Sequence, residues 1–182
     1  PHASYRRQRQ MCIRDRNSVG FIHGVMNTDN TSISCETIDY GPCAFMDSYE
    51  ANKVFSSIDQ YGRYAFSNQS RVAPWNLSRL AETILFLISK NTSDAIKVVE
   101  EILFDFDKNF NNSLDILISH KLGFKNNLKK TSSLYSELLN LMEAGKADFT
   151  GTFKSLKATL IKEDDTIFLN NFRNSDEETQ HA

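Results

Sequence analysis

Cysteine is scarce in this chain, with three residues in 182: Cys12, Cys35 and Cys43. They are too few and too unevenly spaced for a disulfide framework or a zinc knuckle, so a reducing compartment is the expectation. Long apolar runs are also missing. The longest, Ile84 to Ile88, has five residues, against the ~18 that would suggest a membrane span. It reads as core, and no membrane partner is expected. No internal repeat is evident and no signal peptide is expected, so the Asn-x-Ser triplets at Asn76 and Asn91 read as chance rather than glycosylation sites. What remains is an ordinary domain composition, 40% apolar and 24% charged.

The net charge of −2 hides an imbalance. Residues 1–16 hold five arginines and one aspartate, while the rest of the chain holds 16 basic and 22 acidic residues and so carries −6. A body of that sign gives no reason to expect a nucleic-acid partner, because phosphate backbones reward clustered Lys and Arg. The leader (PHASYRRQRQMCIRDR) lacks apolar periodicity and contains Asp15, unlike a transit peptide. It resembles the translation of a sequencing-adapter fragment and is set aside as non-native. Residues 17–173 are expected to form the folded unit, and 174–182 a polar, disordered tail.

From Val19 the texture changes. Residues 19–26 (VGFIHGVM) are apolar and small, and the polar cluster Asn27-Thr28-Asp29-Asn30 follows. Residues 31–38 are rich in β-branched side chains and end at Asp39-Tyr40-Gly41-Pro42, which predicts a short hairpin and a turn. Residues 43–74 read as irregular chain pinned by aromatics. Beyond Pro74, i, i+3, i+4 spacing predicts five helices. One carries Trp75, Leu77, Leu80, Ala81, Ile84, Leu85 and Ile88. A second starts near Thr92 or Ser93, and a third runs from Ser113 to a cap at Gly123. A fourth spans Asn127 to Ala144 and a fifth Asp148 to Leu160. Trp75 is expected in the core, Arg63 and Arg79 in surface or structural pairing, His120 and His181 at the surface, and Cys43 buried. The fold class is α+β, mostly α.

Chemistry concentrates in HGVMNTDN (residues 23–30) and the DYG that starts at Asp39. Phosphate-transferring enzymes of the kinase type place an Asn at the end of the catalytic loop and an Asp beyond a short hairpin, both as metal ligands. Asn30 and Asp39 have that spacing, and both offer hard oxygen donors suited to Mg²⁺. Gly41 gives the backbone freedom just after the second ligand. His23 and Asn30 keep the kinase frame, but Val25 stands where the kinase Asp would be. Asp29 is then the candidate base.

Together HGVMNTDN, TIDYGP (37–42), GRYAFSNQ (62–69) and WNLSRLA (75–81) resemble the selenoprotein O family, and MEAGKADFTGTFKSL (142–156) does so more weakly. The resemblance implies a partial protein-kinase-like fold, namely its larger helical lobe, and transfer of AMP from ATP to Ser, Thr or Tyr hydroxyls of proteins. By resemblance, Asp29 accepts the proton, Asn30 binds Mg²⁺, and Asp39 binds Mg²⁺ and contacts the nucleotide phosphates; Mn²⁺ is the alternative metal. His23 would organise the loop. Cys35 departs from an expected Gly. The family's glycine-rich loop, phosphate-binding Lys, its Glu partner and nucleotide-contacting arginines are expected N-terminal to this segment, and a redox Cys or selenocysteine C-terminal to it. The chain alone is therefore expected to be inactive or nearly so. Two other functions stay open: γ-phosphoryl transfer, which Val25 disfavours, and a non-catalytic nucleotide-binding module. The expected location is the cytoplasm, or the mitochondrion for a eukaryotic source.

Overall fold

The computed structural model describes residues 13–34, 40–124 and 128–173. A helical turn at 13–18 leads into strand β1 (Phe21–His23). Strand β2 (Cys43–Phe45) follows, and then helices α1 (Gln69–Ile88), α2 (Thr92–Lys121), α3 (Leu128–Ala144), α4 (Phe149–Lys162) and α5 (Thr166–Arg173). The expected mostly helical α+β composition is what these residues show. No helix among them is long and apolar enough to cross a membrane.

The two strands lie elsewhere than expected. β1 pairs antiparallel with β2, Phe21 opposite Phe45 and His23 opposite Cys43. Residues 31–34 form no strand, and 35–39 lie outside the described residues. Burial explains the difference. Phe21 and Ile22 are buried in the pairing, whereas Ile33 is 68% exposed. Cys43 is half-buried rather than buried.

Helix α1 begins at Gln69, five residues before Pro74, and runs through the proline. A proline inside a helix removes one backbone bond. Here the first turn is anchored by buried Gln69, Val72 and Ala73, and tertiary contact overrides the break. The expected second and third helices are one helix, α2. Asn111 and Asn112 are exposed, while Phe106, Phe110, Leu114 and Ile118 keep i, i+4 spacing across them on the inner face. Asn91 caps its start by accepting the Ser93 amide at 3.0 Å. At its end the Phe124 amide reaches Ser119 O at 2.8 Å and the Gly123 amide reaches His120 O at 3.1 Å, the paired closure of a glycine-terminated helix. Helix α5 was not expected. Asp164 caps it through Thr166, and Asn171 ties it to Ser155 of α4 at 3.0 Å.

Three apolar clusters set the architecture. The first joins Ile22, Met46, Tyr49, Phe66, Met142, Ala147 and Phe149, so the sheet rests on the α3–α4 junction. Phe149 stacks on Tyr49 and meets Phe66 and Phe153 edge-on. The backbone fixes the same contact: Phe149 N donates to Asp47 O at 2.7 Å and Tyr49 N to Ala147 O at 2.9 Å. The second cluster holds Met26, Tyr64 and Val72, and the third Ala73, Phe106 and Phe110; partly buried Ile13 packs against both. The ammonium of Lys121 sits over the Phe153 ring at 3.6 Å and donates to Ser18 O. Burial nevertheless pulls its pKa down to about 8. Burial, with Glu143 nearby, pushes the Tyr49 phenol up to about 12.

Candidate functional site

The segment Gly20 to Asn30 leaves β1 buried and emerges exposed. Phe21, Ile22, His23, Gly24 and Met26 are buried, whereas Asn27, Thr28, Asp29 and Asn30 are exposed. Gly24 is where chains crowd. A Cβ there would lie 2.8 Å from Phe55 O and 2.9 Å from Pro42 O, so only glycine fits without backbone movement. The Gly24 amide donates to Pro42 O at 2.7 Å, continuing the β1–β2 ladder and closing the base of the 24–42 loop. Gly41, beside that closure, has φ +51°, the left-handed region expected of the residue after the DY pair.

Helix α1 holds this segment with two buried amides seven residues apart. Gln69 Oε1 accepts the His23 amide at 3.0 Å, and its Nε2 donates to Phe21 O at 2.9 Å and Asn17 Oδ1 at 3.1 Å. Asn76 Nδ2 donates to Met26 O and to Thr31 Oγ1, each at 2.9 Å. Asn76 Oδ1 is buried with no partner among the described residues. Two more bonds hold the loop, one from within and one from Tyr64. His23 Nδ1 accepts the Val25 amide at 3.2 Å, and the Tyr64 hydroxyl donates to Asn27 Oδ1. Sequence reasoning quoted the motifs that contain Gln69 and Asn76 but gave neither residue a role. The signal was there: two amides at i, i+7 on the face shared with Val72 and Ala73, where a buried polar group needs a partner.

Asp29 and Asn30 lie together on the 3₁₀ turn Thr28–Asn30 at the exposed end of this loop. Asn30 Nδ2 donates to Val25 O at 3.2 Å, and its Oδ1 has no hydrogen-bond partner among the described residues. The Asp29 carboxylate likewise makes no ion pair there. An amide oxygen and a carboxylate, both exposed and adjacent, suit a hard cation or a proton transfer. Asp39, the other expected ligand, and Cys35 lie outside the described residues. No group of three or more His, Cys, Asp or Glu among the described residues forms a metal cluster.

Trp75 corrects an expectation. It is 41% exposed, with the Arg63 guanidinium over its ring at 4.2 Å and that of Arg79 at 5.5 Å. The reason is rotational: at its position on α1 the inner face is already filled by Val72, Ala73 and Asn76. Arg79 pairs with Glu82 at 2.6 Å on the surface, as expected, and His120 is exposed, also as expected.

The candidate site is thus a two-strand root, a clamped loop and an exposed Asp-Asn pair on a helical body. The comparisons with known proteins narrow the class. The family model described as "Protein adenylyltransferase SelO" matches residues 7–181, and this chain belongs to that family. It is 52% identical over 156 residues to the protein nucleotidyltransferase YdiU of Pelagibacter ubique (strain HTCC1062), covering 86% of this chain and 32% of that relative. To YdiU of Brevibacillus brevis it is 50% identical over 149 residues, covering 82% of this chain and 30% of the relative. The figures for YdiU of Clostridium botulinum (strain Okra / Type B1) are the same. The chain thus spans just under a third of the length of these curated relatives.

Proposed function

We propose that this chain is part of a protein adenylyltransferase, which moves AMP from ATP to Ser, Thr or Tyr hydroxyls of protein substrates. The observation that carries the reading is the exposed Asp29–Asn30 turn on a loop whose rear is held by Gln69 and Asn76, in a chain that belongs to this family. In this reading the acceptor oxygen bonds to the α-phosphorus and its proton passes to the Asp29 carboxylate. The Pα–O–Pβ bond breaks and pyrophosphate leaves. Asn30 Oδ1 and the Asp39 carboxylate would hold Mg²⁺, or Mn²⁺, which when bound offsets charge on the phosphates. What the chain itself contributes is positioning. Gln69 and Asn76 fix the loop's backbone, so the two donors at its end are presented in one arrangement.

The fold assigned here is the larger lobe of a kinase-like enzyme, in part. γ-Phosphoryl transfer is the less favoured reading. The kinase acid position holds Val25, whose amide is taken by His23 and whose carbonyl is taken by Asn30, so no proton acceptor stands there. Because the chain covers under a third of its relatives, the activity is assigned to the longer protein, and these 182 residues alone are expected to be inactive. The cytoplasm is the proposed location.

The test uses the longer protein with Mg²⁺, a protein acceptor and ATP labelled at the α- or the γ-phosphate. Transfer of α-label, abolished by Asp39→Ala and reduced at least tenfold by Asp29→Asn, is the expected result. Transfer of γ-label alone would make the protein a kinase. ATP binding without either label would make it a non-catalytic module.

A further inference from the structure

Helix α1 carries a second stripe beside the one that clamps the loop. Arg71, Trp75 and Arg79 are exposed at i, i+4, i+8, a spacing that lines them up over ~12 Å of helix. Arg63, from the preceding loop, lies on the Trp75 ring at 4.2 Å and near Tyr64 at 5.7 Å. Its position is set by Asp59, whose two carboxylate oxygens accept the Arg63 and Tyr64 amides at 2.8 Å each. Among the described residues Arg79 is paired with Glu82, while Arg63 and Arg71 make no ion pair. A chain that carries −6 outside its leader gathers two guanidinium groups over its single tryptophan, with Arg71 exposed one turn earlier on the same stripe.

The stripe is tied to the candidate catalytic turn from both sides. Tyr64, next to Arg63, bonds Asn27, two residues before Asp29. Asn76, next to Trp75, bonds Thr31, two residues after it. A ligand on the stripe would thus lie on the shoulder of the turn that, in the proposed function, meets the acceptor hydroxyl.

We propose that Arg63 and Arg79, which lie over Trp75, together with Arg71 one turn along the same stripe, dock an acidic segment of the protein substrate beside its acceptor hydroxyl. This rests on the protein-acceptor reading above. Length favours a peptide: four extended residues span ~13 Å, matching the stripe, and planar guanidinium groups pair carboxylates well. A nucleic acid fits less well, because Arg63 already covers the indole face on which a base would stack.

Trp75 is the only tryptophan, so its fluorescence reports on the site directly. The 182-residue chain would be titrated with a Ser-containing, Glu/Asp-rich hexapeptide, its Lys-substituted counterpart, inorganic triphosphate and a short single-stranded oligonucleotide. The expected result is a saturable change with the acidic peptide alone. Affinity should fall at least tenfold in the Arg63→Ala/Arg71→Ala variant, with unchanged far-ultraviolet dichroism, and should be retained in Asp29→Asn. No response to the acidic peptide, an equal response to the Lys peptide, or full affinity in the double variant overturns the proposal. A tighter response to triphosphate or oligonucleotide also overturns it, in favour of a phosphate site. Because the readout is binding, failure of α-label transfer in the longer protein would leave a positive titration standing, and the two ideas fail separately.

Discussion

The root and the tip of one short loop are built on opposite terms. Between Gly20 and Met26 the backbone is held by the β1–β2 pairing and by Gln69 and Asn76 reaching in from α1, and all but Val25 among residues 20–26 are buried. Between Asn27 and Asn30 the residues are exposed, and the Asp29 carboxylate and the Asn30 amide oxygen have no hydrogen-bond or ion-pair partner among the described residues. The contrast separates two jobs. Contacts that stabilise the fold fix where the loop goes, and in the proposed function the groups at its end are the ones that meet a ligand. A site that must bind and release charged phosphates gains from rigidity behind the donors rather than at them.

That division predicts graded consequences. The largest effect is expected beneath the root. Phe149 touches Tyr49, Phe66 and Phe153, and its ring lies where a Gly20 Cβ would be, 2.7 Å away. Phe149→Ala should cost ~3–5 kcal/mol in urea denaturation; a loss under ~1 kcal/mol would show that the sheet does not depend on the α3–α4 junction. Next comes Gln69→Leu, which strips partners from the buried His23 amide and Phe21 carbonyl. It should cost ~1–3 kcal/mol, and amide exchange at His23 should quicken with it. Asn76→Leu should cost less, because its own Oδ1 is already unpaired and removing that buried group gives some stability back. In the longer protein it should still lower kcat for α-label transfer by disordering the Met26–Thr31 stretch. Unchanged kcat would mean that the clamp is structural only.

The smallest effect is a pH dependence under the root. Lys121 titrates near 8 in the folded chain against its usual 10.5. Between those values the unfolded chain holds a proton that the folded one has shed, so stability rises with pH. Tyr49 works the other way. Its pKa is about 12 against the usual 10.0, so the unfolded chain ionises first and stability falls above pH 10. Melting temperature should climb from pH 8 towards 10 and then drop. Lys121→Met should flatten the climb and leave the drop; a climb of equal size in that variant would assign it to another group.

Much of the site was legible because its chemistry is local. HGVMNTDN carries the Asp-Asn pair in eight consecutive residues, and the structure puts that pair on one exposed turn. The glycine after DY has the positive φ that its position asked for. Long-range features were harder to read. The strands that close the loop are three residues each and nineteen residues apart in sequence, too short for alternation to register. Helix starts were expected after Pro74 and at Ser113, but burial of Gln69, Val72 and Ala73 and of Phe106, Phe110 and Ile118 carries α1 and α2 through those points. Trp75 was expected inside; its place on the surface, with two arginines over its ring, was not foreseen.

The central claim is that the root holds the fold and the tip holds the ligand. Paired urea denaturation of Gln69→Leu and the double variant Asp29→Ala/Asn30→Ala, in the 182-residue chain, tests it most directly. The account predicts a loss of ~1–3 kcal/mol for the buried amide and a change within about 0.5 kcal/mol for the two exposed groups together. Equal losses, or a larger loss at the tip, would contradict it.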